Sequence, residues 1–433
     1  MTPQARVAAA IALLEAIEAE PRPADKVAGD FMRARRYIGA KDRRAVLDRI
    51  YGVIRHREAL DWWIARAGAE ASARTRILAW LGLGEKMTAE AIAASFTGAT
   101  YAAGELAGQE SGLVRQLAGQ PLDHPEQPPR IAANCPEWIA RLLARRFGAR
   151  FLREMFALNE EAPLDLRVNA LKGSRADAVA ALEKAGIAAE PTRTSPWGLR
   201  LSSRQPIAGL SCYKRGLVEI QDEGSQIAAL LADARCGQTV VDFCAGGGGK
   251  ALALAAAMKN KGEIAALDVS PRIMAAAPRI KRAGASIVAL HRLAPRDPWL
   301  ARYEGRADRV FVDAPCTGVG AWRRDPSARF RLTRAELERL IALQREILAQ
   351  AAGLVKAGGR LIYVTCSLLA EEDEDQAAWF LDEQRGFAPI AVSEVWAEIF
   401  DGPSPAQGPY LLLTPALHGT DGFFVSIFER EKR

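Results

Sequence analysis

The sequence predicts a multidomain protein: an all-α amino-terminal domain, a small α+β module and a carboxyl-terminal α/β domain built on a parallel sheet. Three observations carry this. From Pro3 to about Gly119, Ala- and Leu-rich stretches place apolar residues at three-to-four spacing, the period of helices. From Val240 onward, short β-branched runs alternate with helical stretches, as in sheets with crossover connections. Residues 136–217 mix helix-like and strand-like segments.

The first 120 residues are broken at Pro21, Pro23 and Gly39. Between Arg33 and Arg66 they carry ten Lys/Arg against four Asp/Glu, with Tyr37, Tyr51, Trp62 and Trp63 interleaved. The cations suit a phosphate-bearing partner, and the aromatics suit a helical core. Pro121, Pro125, Pro128 and Pro129 among polar residues mark 121–135 as an extended linker. In 136–217, Trp138 to Phe147 and Arg175 to Ala185 read as helices, and Leu164 to Val168 and Gly198 to Leu201 as strands.

Residues 218–433 form the α/β domain. Its strands are expected at Thr239 to Phe243, Glu263 to Asp268, Ser286 to His291, Arg309 to Asp313 and Arg360 to Thr365. Tyr410 to Thr414 and Gly422 to Phe428, at hairpin-like distance, would add an antiparallel edge.

With 433 residues and 49% hydrophobic composition, the chain can fill two or three cores. A net charge of +6 and a pI near 9.0 suit a polyanion. Six cysteines without CxxC spacing argue against a disulfide framework or a zinc site. The amino terminus lacks a signal-peptide pattern, and no run of about 18 apolar residues could span a membrane. A cytoplasmic monomer with no bound metal is expected.

Cys244, Ala245, Gly246, Gly247, Gly248, Gly249 and Lys250 follow the first strand of this domain and open a helix, so glycine backbone and helix amides can approach a ligand. A P-loop would need Gly at 244 and Ser or Thr at 251, where Cys244 and Ala251 stand. Gly246-x-Gly248-x-x-Ala251 still fits a dinucleotide fingerprint, with Asp268 placed to hold ribose hydroxyls. S-adenosylmethionine would need the same carboxylate but no pyrophosphate grip. The loop alone leaves the choice open.

The choice comes from two thiols. Pro315-Cys316-Thr317 and Thr365-Cys366-Ser367 each follow an apolar strand, at the end where open α/β sheets bind ligands. Carbon 5 of cytosine is a poor nucleophile. An enzyme that methylates it must first add a nucleophile to carbon 6, and thiolate is the natural side chain for that. Asp313 is placed to stabilise charge developing at ring nitrogen 3, and a second thiol could assist release. Cys135, Cys212 and Cys236 sit in no motif and read as small buried apolar groups.

Asp313-Ala-Pro-Cys-Thr-Gly318, Thr365-Cys-Ser367, Gln221-Asp-Glu-Gly-Ser-Gln226, the loop ending Gly249-Lys250 and His418-Gly-Thr-Asp-Gly-Phe-Phe424 resemble the motif set of the RNA (cytosine-5) methyltransferase family. Lys41-Asp-Arg-Arg44, Tyr51-Gly-Val-Ile-Arg55 and Leu60-Asp61 are similar to the NusB-like domain of its Sun/Fmu branch, the 16S ribosomal RNA methyltransferase B type. The resemblance implies a Rossmann-like class I methyltransferase domain, S-adenosyl-L-methionine as cofactor, and RNA, 16S rRNA or a small-subunit assembly intermediate, as partner. It implies that Cys366 is the nucleophile, Cys316 the release cysteine, and Asp313 the contact to the base. Lys250 and Asp268 would serve the reactive centre and the cofactor ribose.

The sequence departs from the family at Ala245-Gly246, where Ala-Pro is common, at Ala251, and at His291-Arg-Leu-Ala294, where an Asp near adenine is usual. Arg43, Arg44, Arg55, Arg167, Asn169, Arg323 and Arg324 are expected to share the grip on RNA. The competing readings are a catalytically idle RNA-binding assembly factor and a nicotinamide-dependent enzyme.

Overall fold

The computed structural model describes residues 1–203, 205–406 and 408–432. The chain divides into two compact units, Met1–Glu160 with Trp322–Leu332, and Glu161–Ala321 with Thr333–Arg433.

The first unit is helical. Its opening helix, Pro3–Ala19, starts where Thr2 Oγ1 accepts the amide of Ala5 and Pro3 supplies a preset φ. Ala40–Arg55 and Arg57–Arg66 follow, and Ser72 and Thr75 form a reciprocal cap that starts Ala73–Leu83. Leu13, Leu14, Val46, Ile50, Leu60, Ile77, Leu81 and Leu117 meet in one core.

The proline-rich stretch read as a linker packs into this unit. Trp63 Nε1 donates to Leu122 O at 3.1 Å, Gln127 and Asn134 are buried, and Cys135 is fully buried. Pro128 and Pro129 open the short helical turn Pro129–Ala132 without detaching the chain. The helices Glu137–Phe147 and Phe151–Asn159 belong to this unit too, so its break falls at Glu160 and not near Gln120.

The segment Trp322–Leu332, distant in sequence, is also part of the helical unit. Arg329 donates to Asn134 O, Asn159 Oδ1 and Leu158 O at 2.9, 3.3 and 3.4 Å, its guanidinium lies over the Trp322 ring, and Phe330 packs on the helical core.

The second unit begins with a four-stranded antiparallel sheet: β1 (Leu164–Val168), β2 (Ala189–Pro191), β3 (Gly198–Leu201) and β4 (Val218–Ile220), in the order β2-β3-β1-β4. β1 and β3 coincide with the sequence reading. The short β2 and β4 lacked enough alternation to be seen.

The main sheet holds β5 (Thr239–Asp242), β6 (Glu263–Asp268), β7 (Val288–Arg292), β8 (Ala307–Asp313), β9 (Val355–Thr365), β10 (Phe387–Ile390), β11 (Leu411–Leu413) and β12 (Phe423–Arg430). The order is β10-β12-β9-β8-β5-β6-β7, with β11 pairing β12. β5 to β9 are mutually parallel, whereas β12 is antiparallel to β9 and both β10 and β11 are antiparallel to β12. Because β5 leads outward to β6 and β7 before the chain returns at β8, the topological switch lies between β5 and β8. That is where such sheets open a crevice.

No helix among the described residues is long and apolar enough to cross a membrane.

Candidate active site

The carboxyl ends of β5, β6, β8 and β9 supply the site. After β5 the chain makes the glycine loop and enters the helix Gly249–Ala257. Gly246 and Gly248 have φ of 53° and 74°, a region costly for residues with a Cβ. At Gly248 a Cβ would also lie 3.2 Å from Ile280 Cδ1.

Asp268, at the end of β6, accepts the Gly246 amide at 2.8 Å on one oxygen and the Ser270 amide at 2.7 Å on the other. Each oxygen keeps a further lone pair for a hydroxyl. Beside it the apolar Val269 is 71% exposed and Met274 is more than half exposed. A carboxylate with lone pairs left for hydroxyls, next to uncovered apolar side chains and bare glycine backbone, fits S-adenosyl-L-methionine. After β7, where the sequence lacks the expected Asp, Arg292 Nε donates to Val269 O at 3.2 Å, and His291 pairs with Asp297 and stacks on Trp299.

Cys316, after β8, and Cys366, after β9, bring their sulfurs to 3.4 Å. The neighbouring Cys366 sulfur, with burial, pushes the Cys316 thiol well above the ordinary range, so Cys316 keeps its proton while Cys366 is free. Lys250 Nζ reaches Asp313 Oδ2 at 2.5 Å. Burial presses the Lys250 ammonium down, but Asp313 more than offsets this, and the net shift is upward. Burial, reinforced by the charge of Asp313, pushes the Asp242 carboxyl up to about 8. Cys244 lies in the loop with its thiol raised by burial and by Asp268, which leaves it a poor thiolate.

The remaining motifs close around these groups. Asp222 accepts amides from Gly224 and Asp421, which ties Gln221–Gln226 to the segment before β12. Gly320 N donates to Cys366 O at 2.9 Å and Gly320 O accepts from Gly422 N at 2.8 Å. A Cβ at Gly320 would lie 2.4 Å from Gly422 O, so only glycine lets these backbones meet beside Cys366.

The residues expected to grip RNA do not behave alike. Arg44 and Arg324 are exposed, while Arg43 is half-buried and donates to Ile38 O. Arg55 is committed to Asn159 O, Glu160 O and Arg323 O. Arg167, Asn169 and Arg323 are buried, Arg167 holding Gln221 and Asn169 bonding the carbonyls of Gly216 and Ala283. Arg167, Asn169 and Arg323 are interior side chains and the half-buried Arg55 is spent on carbonyls, placements that charge and polarity alone could not reveal. The basic stretch Arg33–Arg66 also holds Arg36 and Lys41, exposed cations that make no ion pair among the described residues, and Tyr37 between them is 73% exposed and not in the helical core expected for it. Sequence reasoning passed over Glu372.

This sheet, with its glycine loop and the carboxylate at the end of β6, defines a class I S-adenosyl-L-methionine-dependent methyltransferase. The family model described as 16S rRNA methyltransferase RsmB/F matches residues 229–429, and that of the RsmF/B-like ferredoxin-like domain matches 135–208. The chain is 32% identical over 323 residues to the probable ribosomal RNA small subunit methyltransferase B of Bacillus subtilis, spanning 73% of this chain and 72% of that one. It is 30% identical over 417 residues to the probable protein of the same name from Synechocystis, spanning 90% and 91%. A solved methyltransferase homolog from Pyrococcus horikoshii superposes with a TM-score of 0.60 at 27% identity, over 70% of this chain and 97% of that one. The chain belongs to the 16S rRNA methyltransferase RsmB/F family.

Proposed function

We propose that this protein methylates carbon 5 of a cytosine in 16S rRNA, through a covalent bond between Cys366 and the base. The observation that carries the reading is the 3.4 Å approach of two thiols from adjacent strand ends, in the crevice that also holds Lys250 and Asp313. S-adenosyl-L-methionine supplies the methyl group. The Cys366 thiolate adds to carbon 6, while Asp313 stabilises charge at ring nitrogen 3. Carbon 5, now an enamine carbon, takes the methyl. With Cys366 bound as a thioether, its sulfur no longer bears the charge that keeps Cys316 protonated. Cys316, having released its own proton to solvent, then acts as the base that removes the carbon 5 proton. Its electron pair forms the 5,6 double bond as the carbon 6–sulfur bond breaks and the Cys366 thiolate returns.

The helical unit, read as NusB-like, offers Arg36, Tyr37, Lys41 and Arg44 as a surface for RNA, with cations for phosphates and an open ring for a base. An idle assembly factor has no need of a reactive dithiol, which favours the enzyme over that alternative. The test is transfer of labelled methyl to unmodified small-subunit RNA, followed by mapping of the modified base. 5-Methylcytosine at one position is expected. Methylation of another base, or of cytosine nitrogen 4, would overturn the mechanism.

A further inference from the structure

Glu372 lies six residues beyond Cys366, in a short 3-10 turn after β9, with a fully buried side chain. Its Oε1 accepts the Thr317 amide at 2.8 Å and Gln344 Nε2 at 3.1 Å. Its Oε2 accepts the hydroxyls of Thr317 and Ser367, the latter at 2.6 Å. Thr317 directly follows Cys316, and Ser367 directly follows Cys366. Gln344 shares its amide with Pro315 O at 2.9 Å, and the Tyr363 hydroxyl donates to the Glu372 carbonyl at 2.7 Å.

One carboxylate thus joins the residue after each thiol. Burying a carboxylate is costly unless its lone pairs are met, and apolar packing would serve a merely structural purpose at less expense. What apolar packing lacks is direction. Four converging hydrogen bonds fix the two loops against each other, and misplacement of reacting groups by about 1 Å can cost about 100-fold in rate.

We propose that Glu372 is a positioning residue that sets the spacing of Cys316 and Cys366 by holding Thr317 and Ser367 on one carboxylate. This rests on the reading that both thiols act in methyl transfer.

The test uses full-length Glu372→Gln, which keeps size but turns two donor N–H groups toward existing donors. Single-turnover methylation of unmodified small-subunit RNA should fall about 100-fold, the scale of such misplacement. The dissociation constant for S-adenosyl-L-methionine and the KM for RNA should stay within about twofold. A second readout concerns spacing alone. The azo oxidant diamide removes one hydrogen from each thiol and joins the sulfurs, so the rate of Cys316–Cys366 disulfide formation, followed by mass spectrometry, should fall at least about tenfold in the variant. If Glu372→Gln does not fold, Thr317→Val combined with Ser367→Ala removes both hydroxyl donors and should slow both readouts in the same sense. Near-normal methylation, or lost methylation with an unchanged disulfide rate, would overturn the assignment. If the wild-type protein methylates some other atom, the disulfide rate still reports on Glu372, so the two readings fail separately.

Discussion

Lys250 Nζ and Asp313 Oδ2 stand 2.5 Å apart, and the same ammonium lies 5.4 Å from the centre of the Phe423 ring. Three segments far apart in sequence, the glycine loop, the end of β8 and the start of β12, are thereby joined at the reacting end of the crevice. The carboxylate holds the lysine charged against burial, and the lysine keeps the carboxylate from facing Asp242 alone.

Replacing Lys250 with Met should therefore act on both stability and chemistry. Losing a hydrogen bond between charged groups costs about 1.5 to 3 kcal/mol. Asp313 would also lose the cation that orients it for the proposed contact with the base. Thermal unfolding should show the loss, and turnover should drop further than S-adenosyl-L-methionine affinity. Unchanged turnover would separate the lysine from the reaction.

Asp242 gives a pH prediction. Its side chain is wholly buried, and its carboxyl is raised to about 8 from an ordinary value near 4. A raised folded-state value means that the native state holds the proton more tightly than the unfolded chain. Its contribution to stability is full below about pH 4 and is lost as pH rises toward 8. Asp242→Asn removes that titration. The stability of the variant relative to wild type should grow between pH 5 and pH 8 by about 3 kcal/mol, measured by denaturant unfolding. A gap independent of pH would show that Asp242 is ionised throughout.

The sequence disclosed much of this because the crevice is built from contiguous motifs. Cys316, Cys366, Asp313, the glycine loop and Asp268 each stand at the end of an apolar run, and an apolar run ending in polar residues is legible as a strand end. β10 and the start of β9 were not seen, since Ala388 and Pro389 are exposed and Val355–Gly359 reads as loop. Glu372 was missed for a different reason. Glu371-Glu372-Asp373-Glu374-Asp375 reads as a solvated acidic run, and only the fold turns two of its carboxylates, Glu372 and Asp373, inward. The same blindness hid the burial of Arg167 and the path of Trp322–Leu332.

That path changes what truncation should do. The loop leaving Cys316 enters the helical unit five residues after Thr317, with Trp322 almost wholly buried. Trp322→Ala should destabilise the protein by about 3 to 5 kcal/mol, the range for emptying a large aromatic site. Deleting residues before Pro121 would leave Phe330 without the core on which it packs. Such a fragment should lose methyl transfer far more than cofactor affinity, and calorimetry beside a turnover assay would show it. Full turnover by the fragment would mean that the loop after Cys316 needs no anchor.

Asp268→Ala removes the partner of two amides as well as the proposed ribose contact. Affinity for S-adenosyl-L-methionine should weaken by about 1 to 3 kcal/mol, the cost of leaving such groups unmet. An unchanged dissociation constant would place the ribose elsewhere.

The two cysteines should fail in opposite ways. Cys366→Ala removes the sulfur that bonds carbon 6, so neither methyl transfer nor a protein–RNA adduct should form, while cofactor binding persists. Cys316→Ala leaves Cys366 able to add to the base and carbon 5 able to take one methyl, but removes the base that takes the carbon 5 proton. Protein bound to RNA should then accumulate and survive denaturing electrophoresis, and the double variant should show none. In the wild type the release step carries its own pH signature. Burial and the neighbouring sulfur hold the Cys316 thiol above its ordinary value, and burial persists after Cys366 is bonded, so the thiolate needed for release is scarce at neutral pH. Decay of the adduct after a single turnover should accelerate as pH rises. If Cys366→Ala formed the adduct and Cys316→Ala were inactive without one, the roles would be exchanged, and Cys316 would be the sulfur that attacks the base.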